Sequence, residues 1–261
     1  MGYTGKAVLP FFGHMPPAQV TKSTCEAYTR QRVAEGKSIG TAHTELGHLT
    51  SALKFAQKTR VIDHLPQLWR PSKPETDKRI LSAAEASALI AAAHDPHIKL
   101  ALILLLGTGG RVGAILDLTW DRVNFDRGTI NLRLSDSVTR KGRATVPMNG
   151  MTRPALSVAR DAALSDYVVE YAARQVGNIR KGVMGAVERS GIGHVRIHDL
   201  RHTAAVTMLA AGHPIEMVAQ VLGHSNTAMT YKVYGRYLPE SMAPAVDVLN
   251  FTGLRLGSRN Q

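Results

Sequence analysis

The stretch HDLRHTAAVTMLAAG, residues 198–212, contains the densest group of polar side chains in the chain and opens a helical pattern. His198 and Arg201 are three residues apart, so they project from neighbouring positions in the first turn of that helix. An imidazole can move a proton, and a guanidinium can bind a phosphate through two hydrogen bonds. Taken alone, the pattern also fits a capped helix start that carries surface charge.

Two further motifs lie on either side of this helix pattern. LGHS, residues 222–225, precedes a stretch that contains Tyr231, Tyr234 and Tyr237, and its glycine is typical of a helix end. TGGR, residues 108–111, places an arginine directly after a glycine-rich turn. Each motif alone is weak, because tyrosines at this spacing usually pack and loop arginines are common.

The chain after residue 79 predicts helices around a small sheet. Ser82 and Glu85 form a capping-box pattern that opens a helix through about residue 93. Residues 123–149 contain β-favouring side chains with turn signals at 126–128 and 141–142, which predict two or three short antiparallel strands. Further helices are expected at about 96–106, 112–118, 153–175, 179–190, 199–211, 214–222 and 227–237, and 241–251 fits one more.

The N-terminal part predicts a small helical module. Residues 23–36 and 40–59 suggest two helices, the second with Leu46, Leu49 and Leu53 at helical spacing. Residues 68–79 contain two prolines and several charges, a composition typical of an exposed linker. We therefore expect one domain over 1–70, a linker over 71–79 and a second domain over 80–261.

Composition restricts the class of function. The 261 residues include 32 Lys and Arg but only 20 Asp and Glu, a net charge of +12 that favours a polyanionic partner. Aromatic residues make up only 5%, which favours duplex DNA over a single strand stacked on aromatic rings. The single cysteine, Cys25, excludes an intramolecular disulfide. We expect no secretory signal, no membrane span and a cytoplasmic, nucleoid-associated location.

Four segments in order resemble the tyrosine recombinase, or phage integrase, family. They are GTGGRVGAILDLTW (107–120), TRKGRATVPM (139–148), HDLRHTAAVTMLAAG (198–212) and LGHSNTAMTYKVYGRY (222–237). The resemblance extends over residues 79–239. It implies an α+β fold, mainly α with a small antiparallel β-sheet, in which 1–70 is a helical, SAM-like core-binding domain and 80–261 is an integrase-type catalytic domain.

The resemblance also implies a role for each motif residue. Arg111 and Arg201 would bind the non-bridging oxygens of the scissile phosphate, and His224 would donate a hydrogen bond to it. Tyr234 would attack phosphorus to give a 3′-phosphotyrosine and a free 5′-hydroxyl. His198 would handle a proton and Lys141 would protonate the leaving 5′ oxygen. No metal or nucleotide cofactor is implied.

Three of these assignments have alternatives. Arg140 could occupy the place of Lys141, because the hairpin segment is one residue shorter than the commonest family form. Tyr231 or Tyr237 could replace Tyr234 as nucleophile. Many family members carry an acidic residue where this chain has Ala114, so the support of Arg111 could be weaker or come from elsewhere.

The resemblance favours a site-specific recombinase that acts on double-stranded DNA, as a homo-tetramer on DNA and a monomer when free. Residues 216–234 also imitate a helix-turn-helix regulator. A type IB topoisomerase and a catalytically decayed integrase that still binds DNA are the nearer alternatives. A regulator has no need for Arg111, Lys141, His198 and Arg201 in this order. We further expect residues 241–251 to pack on a neighbouring protomer.

Overall fold

The structure is a computed structural model that describes residues 2–74, 78–133, 144–224 and 226–235. The chain divides into two compact units, Met1–Asp77 and Lys78–Gln261. Within the described ranges, no helix is both long enough and apolar enough to cross a membrane.

The first unit contains three helices: α1 (Gly2–Phe12), α2 (Lys22–Ala34) and α3 (Ile39–Lys58). Helices α2 and α3 confirm the sequence prediction. Helix α1 was not predicted, since Gly2, Gly5 and Pro10 are poor helix formers. Val8 and Phe12 of α1 pack on the shared core of this unit, which shows that tertiary packing outweighs the low helix propensity.

A buried ionic contact joins α2 to α3. Glu45 is 4% exposed and accepts hydrogen bonds from Arg32 at 2.8 and 2.9 Å and from the Tyr28 hydroxyl at 2.8 Å. Burial and the neighbouring carboxylate both raise the pKa of Tyr28. Because three hydrogen bonds from two residues satisfy the carboxylate, this charge is tolerated in the core of the unit.

The second unit is built around helix α5. The helices in chain order are α4 (Ala83–Ala91), α5 (Pro96–Thr108), α6 (Val112–Leu116), α7 (Thr152–Asp161), α8 (Arg180–Ser190), α9 (Ile197–Ala210), α10 (Ile215–Leu222) and α11 (Thr227–Tyr234). Helix α5 is apolar on all sides from residue 100 to residue 106 and packs against α4, α7, α8 and α9. The predicted capping box is confirmed: the Ser82 side chain accepts from the Glu85 amide, and the Glu85 carboxylate accepts from the Ser82 amide.

A three-stranded antiparallel sheet lies between α6 and α7, as the sequence predicted. It consists of β1 (Val123–Asn124), β2 (Thr129–Asn131) and β3 (Thr145–Pro147), in the order β1-β2-β3. Ile130 is paired with Val123 on one side and Val146 on the other, and all three are buried in the core. The predicted turn at 126–128 is present, whereas the one at 141–142 lies outside the described residues.

The predicted helix over 153–175 is wrong beyond Asp161. Helix α7 ends there, and the chain continues into a hairpin of β4 (Glu170–Tyr171) and β5 (Arg174–Gln175). The segment between α7 and β4 pairs with residues 118–120 instead of forming a helix. Trp120 donates to the Asp166 carbonyl at 3.0 Å, and Val168 donates to the Leu118 carbonyl at 2.9 Å. Hydrogen bonds to a distant segment therefore override the local helical pattern.

Candidate active site

A glycine turn at the end of α5 positions Arg111. Gly109 adopts a left-handed conformation with φ of 61°, and a Cβ added there would lie 2.9 Å from Leu222. The Thr108 hydroxyl accepts a hydrogen bond from the Gly110 amide at 3.0 Å. The turn ends at Arg111, which is the N-cap residue of α6 and is partly exposed.

Arg201 lies on α9 and is buried, with 3% of its surface exposed. Its guanidinium donates to the carbonyls of Gly109 at 2.7 Å and Leu222 at 2.9 Å, and contacts His224. Across the described ranges, no carboxylate lies within 4.0 Å of this guanidinium. Burial first, and the charge of Arg111 second, lower the pKa of Arg201 to about 10. A buried cation with only neutral partners forms an anion site.

His224 connects Arg201 to helix α11. Its Nε2 lies 2.8 Å from Nη2 of Arg201, and its Nδ1 lies 2.7 Å from the hydroxyl of Thr230. A guanidinium has donors only, so Nε2 accepts and Nδ1 carries the hydrogen that is donated to Thr230. Burial, followed by the charges of Arg201 and Arg111, lowers the pKa of His224 to about 4. The imidazole is therefore neutral in the DNA-free protein.

His198 lies at the second residue of α9 with its side chain accessible to solvent. Partial desolvation, and then the charges of Arg201 and Arg111, lower its pKa below the ordinary range. Arg111 thus perturbs both histidines and Arg201, which places the four side chains in one electropositive site. The structure brings together four of the six residues that the sequence nominated.

The start of α9 is also capped, as the alternative interpretation of the motif suggested. Asp199 is 1% exposed, and its carboxylate accepts from the backbone amide of Arg196 at 2.9 Å and from its guanidinium at 2.9 and 3.0 Å. This contact fixes the first turn that carries His198 and Arg201. The capping and the site chemistry therefore use different side chains of the same motif.

Tyr234 and His202 form a buried pair that the sequence analysis missed. The Tyr234 hydroxyl lies 2.7 Å from Nδ1 of His202, and the two residues are 2% and 7% exposed. The His202 ring also contacts the His198 ring edge-on, at 4.7 Å between centroids. The signal was present: His202 follows His198 by four residues, which places both on one helix face. Thr230, the partner of His224, precedes Tyr234 by the same interval.

The other nominated residues lie elsewhere. Tyr231 is 47% exposed, and its hydroxyl contacts Glu216 at 3.1 Å on the surface. Ala114 is a residue of α6 and is buried in the core. Arg140, Lys141 and Tyr237 lie outside the described residues. Where the structure describes the chain, no group of three or more His, Cys, Asp or Glu side chains could hold a metal ion.

Comparison of the sequence with known protein families identifies the family of the chain. Residues 78–240 match the phage integrase family. This chain belongs to the phage integrase family. The match begins at the first residue of the second unit, covers most of that unit and includes every side chain of the site described above.

Relatives of this integrase-family chain include a tyrosine recombinase XerC-like protein of Caldanaerobacter subterraneus subsp. tengcongensis. The two are 26% identical over 216 residues, which cover 68% of this chain and 55% of that protein. The chain therefore spans little more than half the length of this relative.

Two solved structures show the same fold. The Tn1549 transposon integrase in complex with transposon right-end DNA has a TM-score of 0.75 at 18% identity, over 94% of this chain and 91% of that one. The lambda integrase tetramer bound to a Holliday junction has a TM-score of 0.68 at 19% identity, over 86% and 70%. These likenesses confirm the predicted fold class, mainly α with small antiparallel sheets and an integrase-type catalytic domain.

Proposed function

We propose that this protein is a site-specific recombinase that cuts and rejoins duplex DNA through a covalent 3′-phosphotyrosine intermediate. The observation that carries the proposal is the buried guanidinium of Arg201. Its hydrogen-bond partners among the described residues are all neutral, and the charge of Arg111 acts on it. A phosphodiester would supply the missing negative charge. A helix-turn-helix regulator gives no reason to bury such a cation.

The two arginines would act mainly in the transition state. Negative charge grows on the non-bridging oxygens as phosphorus becomes pentacoordinate, and donors already held in place stabilise that charge without reorganising. The carbonyls of Gly109 and Leu222 hold the Arg201 guanidinium in such a fixed orientation. His224 would add one hydrogen bond to the same phosphate.

Tyr234 would be the nucleophile. Its phenol oxygen forms a bond to phosphorus, the bond from phosphorus to the 5′ oxygen breaks, and the phenol proton leaves. Lys141 would give a proton to the 5′ oxygen, and His198 would take or return a proton at the exposed start of α9. The reverse steps join a new 5′-hydroxyl to the phosphotyrosine. The phosphotyrosine bond replaces the phosphodiester bond that breaks, so energy from a nucleotide is not needed to rejoin the strands.

The partner would be double-stranded DNA in the cytoplasmic nucleoid. The net charge of +12 suits contacts to many phosphates, and the helical unit over 1–70 would serve as the core-binding domain. The likeness to a lambda integrase tetramer on a Holliday junction supports assembly of four copies on DNA from free monomers. We also propose that residues 241–251 pack on a neighbouring protomer in that assembly.

A trapping experiment tests the reaction and the nucleophile together. The site is first identified by sequencing DNA fragments that the native protein retains from a genomic library. The protein is then incubated with a nicked duplex of that site, from which the 5′-hydroxyl fragment diffuses away. Wild type and Tyr231→Phe should form a denaturation-resistant adduct, and Tyr234→Phe should not.

Each outcome has a separate meaning. An adduct with Tyr234→Phe would reject Tyr234 as the nucleophile but leave the reaction class intact. Binding of the site without any adduct, by wild type, would favour a regulator or a decayed integrase. Tyr231→Phe is the matched control, because Tyr231 lies one turn from Tyr234 on α11 and faces the solvent.

A further inference from the structure

The nucleophile proposed above is inaccessible in the DNA-free protein. Tyr234 is 2% exposed and belongs to a hydrophobic cluster with Leu209, Val218 and Leu222. A phosphorus atom in a duplex cannot reach an oxygen that is enclosed in this way. The phenol must therefore change position, or its surroundings must open, before the attack.

The phenol makes a hydrogen bond with His202 in this buried position. Nδ1 of His202 lies 2.7 Å from the Tyr234 hydroxyl, and both groups are buried. An enclosed hydroxyl that lacks a hydrogen bond is costly, so this contact stabilises the buried position relative to an exposed one. Burial of the Tyr234 ring in the hydrophobic cluster stabilises the same buried position.

His202 is poorly suited to act as the base that removes the phenol proton. Burial first, and then the charges of His198 and Lys78, lower its pKa to about 4. A group with so low a pKa is neutral near pH 7 and binds the phenol proton weakly. Its chemistry fits a fixed neutral hydrogen-bonding partner.

We propose that His202 is a positioning residue whose hydrogen bond keeps the nucleophile Tyr234 in the interior until DNA is bound, and that this bond breaks before the attack on phosphorus. The proposal rests on the function proposed above. Helix α11 then has two polar attachments four residues apart: Thr230 contacts His224, and Tyr234 contacts His202. Release of Tyr234 leaves the contact between Thr230 and His224 available to hold α11 in place.

Two substitutions at one position test the hydrogen bond separately from packing. Asparagine and leucine have nearly the same shape, but only asparagine can place a hydrogen-bonding atom close to the location of Nδ1. His202→Leu therefore removes the bond and His202→Asn retains a substitute. Any effect of a smaller side chain should appear in both variants.

The first readout is the solvent accessibility of Tyr234. The seven tyrosines are labelled as 3-fluorotyrosine, and the fluorine NMR signal of Tyr234 is assigned by its loss in Tyr234→Phe. A soluble gadolinium chelate should leave this signal sharp in wild type and His202→Asn and broaden it in His202→Leu. A signal that stays sharp in a folded His202→Leu protein would overturn the proposal, because packing alone would then hold the ring.

The second readout is the rate of adduct formation at saturating nicked duplex. Loss of one net hydrogen bond should raise this rate about fivefold in His202→Leu and leave it close to wild type in His202→Asn. An equal or lower rate in His202→Leu would reject the proposal. If wild type also forms no adduct, the proposed function itself has failed. The fluorine signal of Tyr234 still reports whether His202 keeps the ring in the interior, so the two failures can be told apart.

Discussion

His224 accepts a hydrogen bond from Arg201 at 2.8 Å, and this contact determines which nitrogen of the imidazole carries its hydrogen. With Nδ1 committed to Thr230 at 2.7 Å, Nε2 has no hydrogen to offer to a phosphate. While Nδ1 remains the donor to Thr230, His224 can therefore donate to the scissile phosphate only after it takes up a proton. The anion site and the protonation state of this histidine are coupled.

This coupling predicts that DNA binding takes up a proton. The pKa of His224 is about 4 in the free protein, and a phosphate anion beside Nε2 raises it. The affinity of the Tyr234→Phe protein for its duplex should therefore decrease as the pH rises through the range above 4. Calorimetry in two buffers of different ionisation enthalpy measures the uptake. In His224→Asn the uptake should fall by up to one proton, and an unchanged value would contradict the assignment.

Arg201→Lys should abolish most of the cleavage. A lysine cannot reproduce the two-pronged geometry that the carbonyls of Gly109 and Leu222 hold in place. Loss of one such donor should slow adduct formation at saturating DNA by roughly 100-fold or more, with a much smaller effect on affinity. Arg127→Lys, at an exposed position, is the control and should cleave like wild type. Equal rates for both variants would remove Arg201 from the proposed mechanism.

Gly109→Ala should destabilise the second unit. The residue has φ of 61°, and the new Cβ would lie 2.9 Å from the Leu222 side chain. We expect a loss of about 1–3 kcal/mol in the free energy of unfolding, together with impaired cleavage, because the carbonyl that holds Arg201 would shift. Gly113→Ala is the control: nothing lies within 4 Å of its Cβ and it is inside α6, so it should stabilise by up to about 1 kcal/mol. Urea denaturation measures both.

The parts of the molecule that the sequence predicted well are those set by local chemistry. Ser82 and Glu85 are three residues apart, and such a pair caps a helix independently of its tertiary packing. The spacing of His198 and Arg201 likewise places both residues in one helical turn. The end of α7 at Asp161 depends instead on backbone hydrogen bonds from Trp120 to Asp166 and from Val168 to Leu118, whose partners are distant in the chain. The role of His202 likewise depends on Tyr234, which is 32 residues away. Local patterns contain no information about such partners.

The buried His202 and the partly buried His224 predict that stability decreases in mild acid. The pKa values of His202 and His224 are both about 4 in the folded protein, against an ordinary value of 6.5. The unfolded chain therefore binds protons more readily between these values, so the free energy of unfolding should be constant above pH 6.5 and fall as the pH drops towards 4.

The ionisable groups differ in how much they contribute to this pH dependence of the free energy of unfolding. Each shift corresponds to at most about 3 kcal/mol, and to less for His224, whose partial exposure allows solvent screening. Burial opposes ionisation of Asp199, but its hydrogen bonds with Arg196 outweigh burial and lower the pKa, so this carboxylate acts only below its ordinary value of 3.8. Urea midpoints at pH 7 and pH 5 should differ less in His202→Asn than in wild type. An identical difference would show that His202 binds protons equally in the folded and unfolded states.

The hairpin between β4 and β5 predicts a stabilising substitution. Its two loop residues, Ala172 and Ala173, have φ of 50° and 58°, a conformation that suits asparagine and glycine and strains alanine. Replacing the pair with Asn-Gly should raise the free energy of unfolding by roughly 1–2 kcal/mol. Ala84→Gly, at an exposed position of α4, makes the same type of change in a helix and should lower it by about 0.5–1 kcal/mol. If both variants are destabilised to the same extent, the loop alanines are not strained.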